Sequence, residues 1–115
     1  MITRLARRRR FSSLHRYQVG AWNDQENREV FGACFTPHGH GHNYELEAYV
    51  EGKLNAQTGM IINLSDLDKK LARVIAPLDG KHLNFEVDFF KDKVPTTENL
   101  ALWLFDQLKS ELSEL

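Results

Sequence analysis

Cysteine is nearly absent from this sequence: Cys34 is the single thiol in 115 residues. One thiol forms no internal disulfide and nothing points to secretion, so a reducing, cytoplasmic compartment is expected. Net charge is also nearly absent, at −1 with histidine neutral. Such a balance gives no general attraction to nucleic acid or to an anionic membrane, and neither is expected as a partner. No apolar run is long enough to span a bilayer. The N-terminus is basic, with Arg4 and Arg7 to Arg10, but no apolar core follows, so it does not read as a secretory leader.

What remains is ordinary globular composition, 42% hydrophobic and 27% charged. One domain over residues 1–115 is expected. A chain this short buries a modest share of its surface, which makes an oligomer a reasonable expectation. Residues 2–11 read as a strand, with Ile2, Leu5 and Phe11 set among arginines. The arginine run has two readings, a nucleic-acid patch or a solvated strand face or intersubunit surface. A run this short favours the second.

Residues 12–42 have few periodic apolar positions and read as a long functional connection. Residues 43–51 alternate again and give a second strand. Residues 52–58 form a turn region, after which extended structure briefly resumes. Ser65 is expected to cap a helix, with Asp68 three residues on, and Pro77 to end it. Thr96 or Thr97 is expected to cap a second helix, with Glu98 in its first turn. Ala101, Leu104, Phe105, Leu108 and Leu112 are its expected apolar stripe.

The chemistry is concentrated in PHGHGHNY, where His38, His40 and His42 alternate with glycine. In extended backbone alternate side chains share a face, so His40 and His42 can reach one ion, with the intervening glycine leaving the approach open. Neutral imidazole is a good zinc ligand, and a catalytic zinc takes three protein ligands plus one open position. His15 is a candidate third ligand if the two strands pair as an antiparallel hairpin. An exposed glycine–histidine loop without a metal has the same spacing, and His38 can replace any one of the three; it is left out of the expected site. Cys34 lies six residues before His40. Its thiol is an inert buried group, a base or nucleophile activated near a metal, or a fourth ligand, and spacing does not choose among these.

FSSLH at 11–15, Cys34 followed by HGHNY at 40–44, PLDGKHLN at 77–84 and PTTENLALWLFDQL at 95–108 together resemble the 6-pyruvoyltetrahydropterin synthase family, which includes 6-carboxytetrahydropterin synthases. The likeness covers nearly the whole chain, and four motifs in this order are specific. The resemblance implies an α+β tunnelling fold (T-fold), with an antiparallel sheet, two helices on one face and oligomeric barrels built from trimers or hexamers. It implies zinc at His15, His40 and His42, a general base at Cys34, and a relay aspartate at Asp79. It also implies a pterin-pocket motif at Thr96, Thr97 and Glu98.

Three departures from the family pattern stand out. Gly80 takes the place of a histidine after the relay aspartate, with His82 the nearby candidate to join the relay or a plain loop residue. Asn63 stands where the family often has aspartate. The family's C-terminal hairpin, with a glutamate that anchors the pterin, has no counterpart before Leu115. The chain is therefore expected to be part of a longer product or to need an oligomer for its missing strands. The activity implied is release of triphosphate from 7,8-dihydroneopterin triphosphate to give a 6-pyruvoyl or 6-carboxy tetrahydropterin, in pterin or queuosine-precursor synthesis. The alternative is a zinc-binding oligomeric homologue without catalysis or with altered specificity.

Overall fold

The computed structural model describes residues 1–113; Leu115, where the sequence ends, lies outside them. Two long strands form its backbone, β1 (Thr3–His15) and β2 (His40–Gly52). They pair antiparallel without interruption from Thr3 opposite Gly52 to His15 opposite His40. Both run further toward the histidines than the alternation at 2–11 and 43–51 indicated. A two-residue strand, β3 (Lys81–His82), joins the far edge of β1 in parallel at Ser13 and Leu14. The sheet order is β2-β1-β3. The expected antiparallel sheet is thus a mixed one, with helices packed on it in an α+β arrangement.

Alternation along β1 divides its residues between two environments. Phe11, Ser13 and His15 are buried on one face, while Arg4, Arg8, Arg10 and Ser12 are exposed on the other. The exposed arginines meet β2 carboxylates across the ladder: Arg4 with Glu51 at 3.8 Å, Arg8 with Glu47 at 2.6 Å and Glu45 at 3.1 Å, and Arg10 with Glu45 at 3.5 Å. Arg7 and Arg9 face the other way, and both pair with Asp68. Among the described residues the run thus forms ion pairs along a strand.

Among the described residues the α-helices are α1 (Asp24–Phe31), between β1 and β2, and then α2 (Leu64–Ile75), α3 (Leu83–Glu86) and α4 (Thr97–Leu112). Helix α1 lies inside the stretch read as a long connection. DQENREVF lacks an apolar stripe, and what starts the helix is a capping box between Asn23 and Glu26, a polar signal that periodicity does not register. Helix α2 is capped by Asn63, whose Oδ1 accepts from Ser65 N–H at 2.9 Å. The expected cap at Ser65 is corrected by two residues, because Asp68 is engaged by Arg7 through both carboxylate oxygens at 2.8 and 2.9 Å. That bidentate pair fastens α2 to the sheet.

Helix α4 is capped by Thr96, whose Oγ1 accepts from Asn99 N–H at 3.1 Å. Its buried residues are Leu100 and Leu104, while Phe105 is 65% exposed. The expected stripe is rotated by about one residue, because Leu100 and Leu104 turn toward Phe90, Leu78 and Phe11 in the main core. Ala101, Phe105, Leu108 and Leu112 instead line an open apolar groove of about 710 Å³ against Leu46 and Ala48 of β2. Leu67, Leu71, Leu78 and Leu83 are fully buried; each side chain withdrawn from water in this way contributes about 1.5–3 kcal/mol. Among the described residues no helix is long and apolar enough to cross a membrane.

Candidate metal centre and active site

The β1–β2 register builds the centre. His15 ends β1 directly opposite His40, and His42 stands two residues along the same strand opposite Ser13. The three imidazoles converge, with ring centroids 4.9 Å apart for His15 and His40, 4.5 Å for His15 and His42, and 4.7 Å for His40 and His42. His15 is only 3% exposed. Its Nδ1 is 2.9 Å from the Tyr44 hydroxyl, whereas its Nε2 is buried with no partner among the described residues. A buried polar nitrogen left unpaired costs about 1–3 kcal/mol. Burial, followed by the charges of His42, His40 and His82, lowers the His15 pKa to about 4. The ring is therefore neutral at pH 7, with a lone pair free to bind a cation.

Cys34 approaches from the side. It ends a 3₁₀ turn, Gly32–Cys34, that continues directly from α1. Its Sγ lies 4.0 Å from His40 Nε2, and its carbonyl accepts the Tyr17 N–H at 2.9 Å. The donor atoms of His15, Cys34 and His40 all lie within 4.8 Å of one another, so these three can hold a metal ion. His42 is exposed beside them. Nitrogen and sulfur donors with one orphaned buried nitrogen suit a zinc-like cation.

Gly39, and not Gly41, is the glycine this turn requires. Gly39 has φ +78, and a Cβ there would lie 2.2 Å from the His15 carbonyl oxygen and 3.2 Å from His82 Nε2. A Cβ on Gly41 would meet Leu14 at an ordinary 3.5 Å. Beneath the turn His82 is buried. Its Nε2 is 3.0 Å from the His38 carbonyl oxygen, and its ring lies 4.3 Å from that of Phe85. His38 itself is exposed.

Asp79 is in a different place. Its Oδ1 accepts from Ser12 N–H at 3.0 Å, and Gly80 N–H donates to Ser12 O at 2.7 Å. Asp79 lines a cavity of about 450 Å³ with Arg10, Ser12, Asn43 and Glu45, and neither Cys34 nor His15 borders it. Gly80 has φ +72 with open space around it.

The start of α4 returns to the centre through Tyr17. Burial raises the Tyr17 phenol pKa, contact with Thr97 opposes that, and the charges of Cys34 and Glu98 add to it. Thr97 and Glu98 thus lie near Tyr17, while the Thr96 hydroxyl is used in capping. Tyr44 and Tyr17 were not singled out by sequence reasoning. Strand alternation was the available signal for Tyr44, two residues beyond His42. Tyr17 follows His15 by two, just past the end of β1, and carried no such signal.

Imidazoles and a thiol gathered at the end of a helix-backed sheet give this α+β protein a site able to hold a metal ion. The chain belongs to the 6-pyruvoyl tetrahydropterin synthase family, a family of lyases, whose pattern matches residues 4–115. It is 48% identical over 103 residues to the 6-pyruvoyl tetrahydrobiopterin synthase of Poecilia reticulata, covering 89% of this chain and 70% of that protein. It is 43% identical over 109 residues to the human 6-pyruvoyl tetrahydrobiopterin synthase, covering 94% of this chain and 75% of that one. The solved structure of Caenorhabditis elegans 6-pyruvoyl tetrahydropterin synthase superimposes with a TM-score of 0.92 at 37% identity, over 96% of this chain and 79% of that one. The fold is the tunnelling fold.

Proposed function

We propose that this chain is a zinc-dependent lyase that converts 7,8-dihydroneopterin triphosphate to a 6-pyruvoyl tetrahydropterin with release of triphosphate. One observation carries the reading: His15, Cys34 and His40 each offer a ligand atom within 4.8 Å of the others, and the Nε2 of His15 is buried with no hydrogen-bond partner among the described residues. The names of the relatives support the product class. His15, His40 and His42 would hold the zinc, with Cys34 beside it. Bound there, zinc supplies Lewis acidity toward the hydroxyls of the substrate side chain.

The remaining chemistry falls to the chain's own residues. Cys34, as thiolate, takes a carbon-bound proton from the side chain. Triphosphate then leaves, and internal redox of the side chain and ring gives the pyruvoyl group without an outside oxidant. Thr97 and Glu98 hold the pterin, and Asp79, which faces a separate cavity within the single chain, joins the relay from a neighbouring subunit of the oligomer. His82 supports the His38 main chain beneath the centre. The active form is a homo-oligomer, trimer or hexamer, which the apolar groove beside β2 favours, and the compartment is the cytoplasm.

The test is incubation of the purified, zinc-loaded chain with 7,8-dihydroneopterin triphosphate, with the product identified by mass. A 6-pyruvoyl product with stoichiometric triphosphate supports the reading, and a 6-carboxy product reassigns the substrate's fate. Gly80, in place of the family's histidine, favours a second reading of altered specificity or lost catalysis. Full zinc occupancy with no triphosphate released would select it.

A further inference from the structure

The ring of Tyr17 stands between the two halves of the centre. Its centroid lies 4.5 Å from that of His15 with the planes tilted by 34°, and 5.8 Å from that of Phe31, edge-on at 76°. His15 closes β1, whereas Phe31 closes α1 and leads straight into the turn that ends at Cys34. Trp22 stacks on Phe31 in turn, at 6.0 Å and 23°. The Tyr17 main chain holds the Cys34 carbonyl at 2.9 Å. Behind these rings the buried Asn27 fixes α1 to the preceding loop. Its Oδ1 accepts from Val19 N–H at 2.8 Å, and its Nδ2 donates to the carbonyls of Val19 at 3.2 Å and Asn23 at 3.0 Å.

We propose that Tyr17 is a positioning residue whose ring is the spacer between the His15 imidazole and the Phe31–Cys34 turn, and so sets the reach of the Cys34 thiol to the centre. An aromatic ring suits this task. It is flat and stiff, and edge-on contact at 4.5–7 Å is a preferred arrangement. Removing it leaves a cavity into which an eight-residue helix and its turn can settle. A thiol meant to take a proton tolerates little displacement, since a misplacement of about 1 Å costs about 10²-fold in rate. The inference rests on the reading of Cys34 as the base, but its geometry is tested without turnover.

The test compares zinc-loaded wild-type chain with Tyr17→Phe, Tyr17→Ala and Phe31→Ala. The readouts are the rate of Cys34 alkylation by iodoacetamide across pH, zinc content, and kcat and KM for 7,8-dihydroneopterin triphosphate. Tyr17→Phe keeps the ring and is expected to match wild type in alkylation rate and zinc content. Tyr17→Ala is expected to change the alkylation rate about tenfold and lower kcat about 10²-fold, with KM and zinc content little altered. Phe31→Ala should reproduce the alkylation change, and the double variant should add little to it, because both act through one stack. Wild-type alkylation and kcat in Tyr17→Ala would overturn the proposal. So would a Tyr17→Phe variant as altered in alkylation as Tyr17→Ala, which would move the role to the hydroxyl. If the wild-type chain releases no triphosphate, the substrate reading fails, and the alkylation comparison still decides the spacer. If Tyr17→Ala does not fold, Tyr17→Leu, which fills the volume without a flat ring, takes its place with the same expected loss.

Discussion

The Nδ1 of His15 and the hydroxyl of Tyr44 are 2.9 Å apart across the β1–β2 ladder. Burial pushes the Tyr44 phenol up to about 12, so it is a neutral hydroxyl throughout the working pH range. For His15 Nε2 to carry a lone pair, Nδ1 must hold the proton and donate it to Tyr44. With a metal on Nε2 the Tyr44 oxygen accepts that proton, and the contact holds the ring in place. The Phe11 ring, stacked on Tyr44 at 5.0 Å, holds the tyrosine in turn.

Tyr44→Phe is accordingly expected to weaken metal binding by about 10–100-fold while the chain stays folded. Competition with a chromogenic chelator measures this. Wild-type affinity in the variant would remove Tyr44 from the support of the centre.

Alanine variants separate ligand from base. His15→Ala and His40→Ala are expected to lose zinc, since each removes a donor from the cluster within 4.8 Å. Cys34→Ala is expected to keep zinc and lose about 10²–10⁴-fold in turnover, the usual share of a positioned base. Metal analysis beside single-turnover kinetics decides. Loss of zinc from Cys34→Ala would make the thiol a ligand and close the site.

The two glycines flanking His40 should respond differently. Gly39→Ala forces a Cβ to within 2.2 Å of the His15 carbonyl oxygen at φ +78. Backbone strain of this kind costs about 1–3 kcal/mol, and relief requires the turn to move away from His15. Lower thermal stability and lower zinc content are expected together. Gly41→Ala meets only Leu14 at 3.5 Å and should be nearly silent. Equal effects at the two positions would contradict the close approach.

Acid should unfold the metal-free chain partly through His15. Its pKa is lowered from 6.5 to about 4 in the fold, so below pH 6.5 the unfolded chain binds a proton that the folded chain refuses. The stability this group contributes is fully present above pH 6.5 and is lost as pH falls toward 4. Urea midpoints between pH 7 and pH 4 measure the slope, and His15→Asn should flatten it. An unchanged slope in that variant would assign the acid sensitivity elsewhere.

Period-2 alternation made both strands legible, because residues such as Leu46 and Ala48 alternate with exposed neighbours such as Glu45 and Glu47. The motif order made the family legible. The histidine pair was readable for the same geometric reason, since His40 and His42 sit on one face of any extended backbone. The helix at Asp24–Phe31 was not read, because a polar helix tied down by Asn27 has no apolar stripe. The facing of α4 was missed by about one residue, since Leu100 and Phe105 are equally apolar on paper.

The sequence by itself determined the local chemistry: which segments extend, and that imidazoles and a thiol lie close along the chain. Tertiary structure decided which of them meet. Only the uninterrupted β1–β2 register sets His15 against His40, and only the turn after α1 brings Cys34 within 4.0 Å of His40. The strand contact β1–β3 likewise holds Asp79 on Ser12 and turns His82 toward the His38 main chain. The physical reason is range. Propensity and periodicity act over a few residues, whereas a metal centre is defined by distances between residues far apart in sequence, which only pairing and packing can fix.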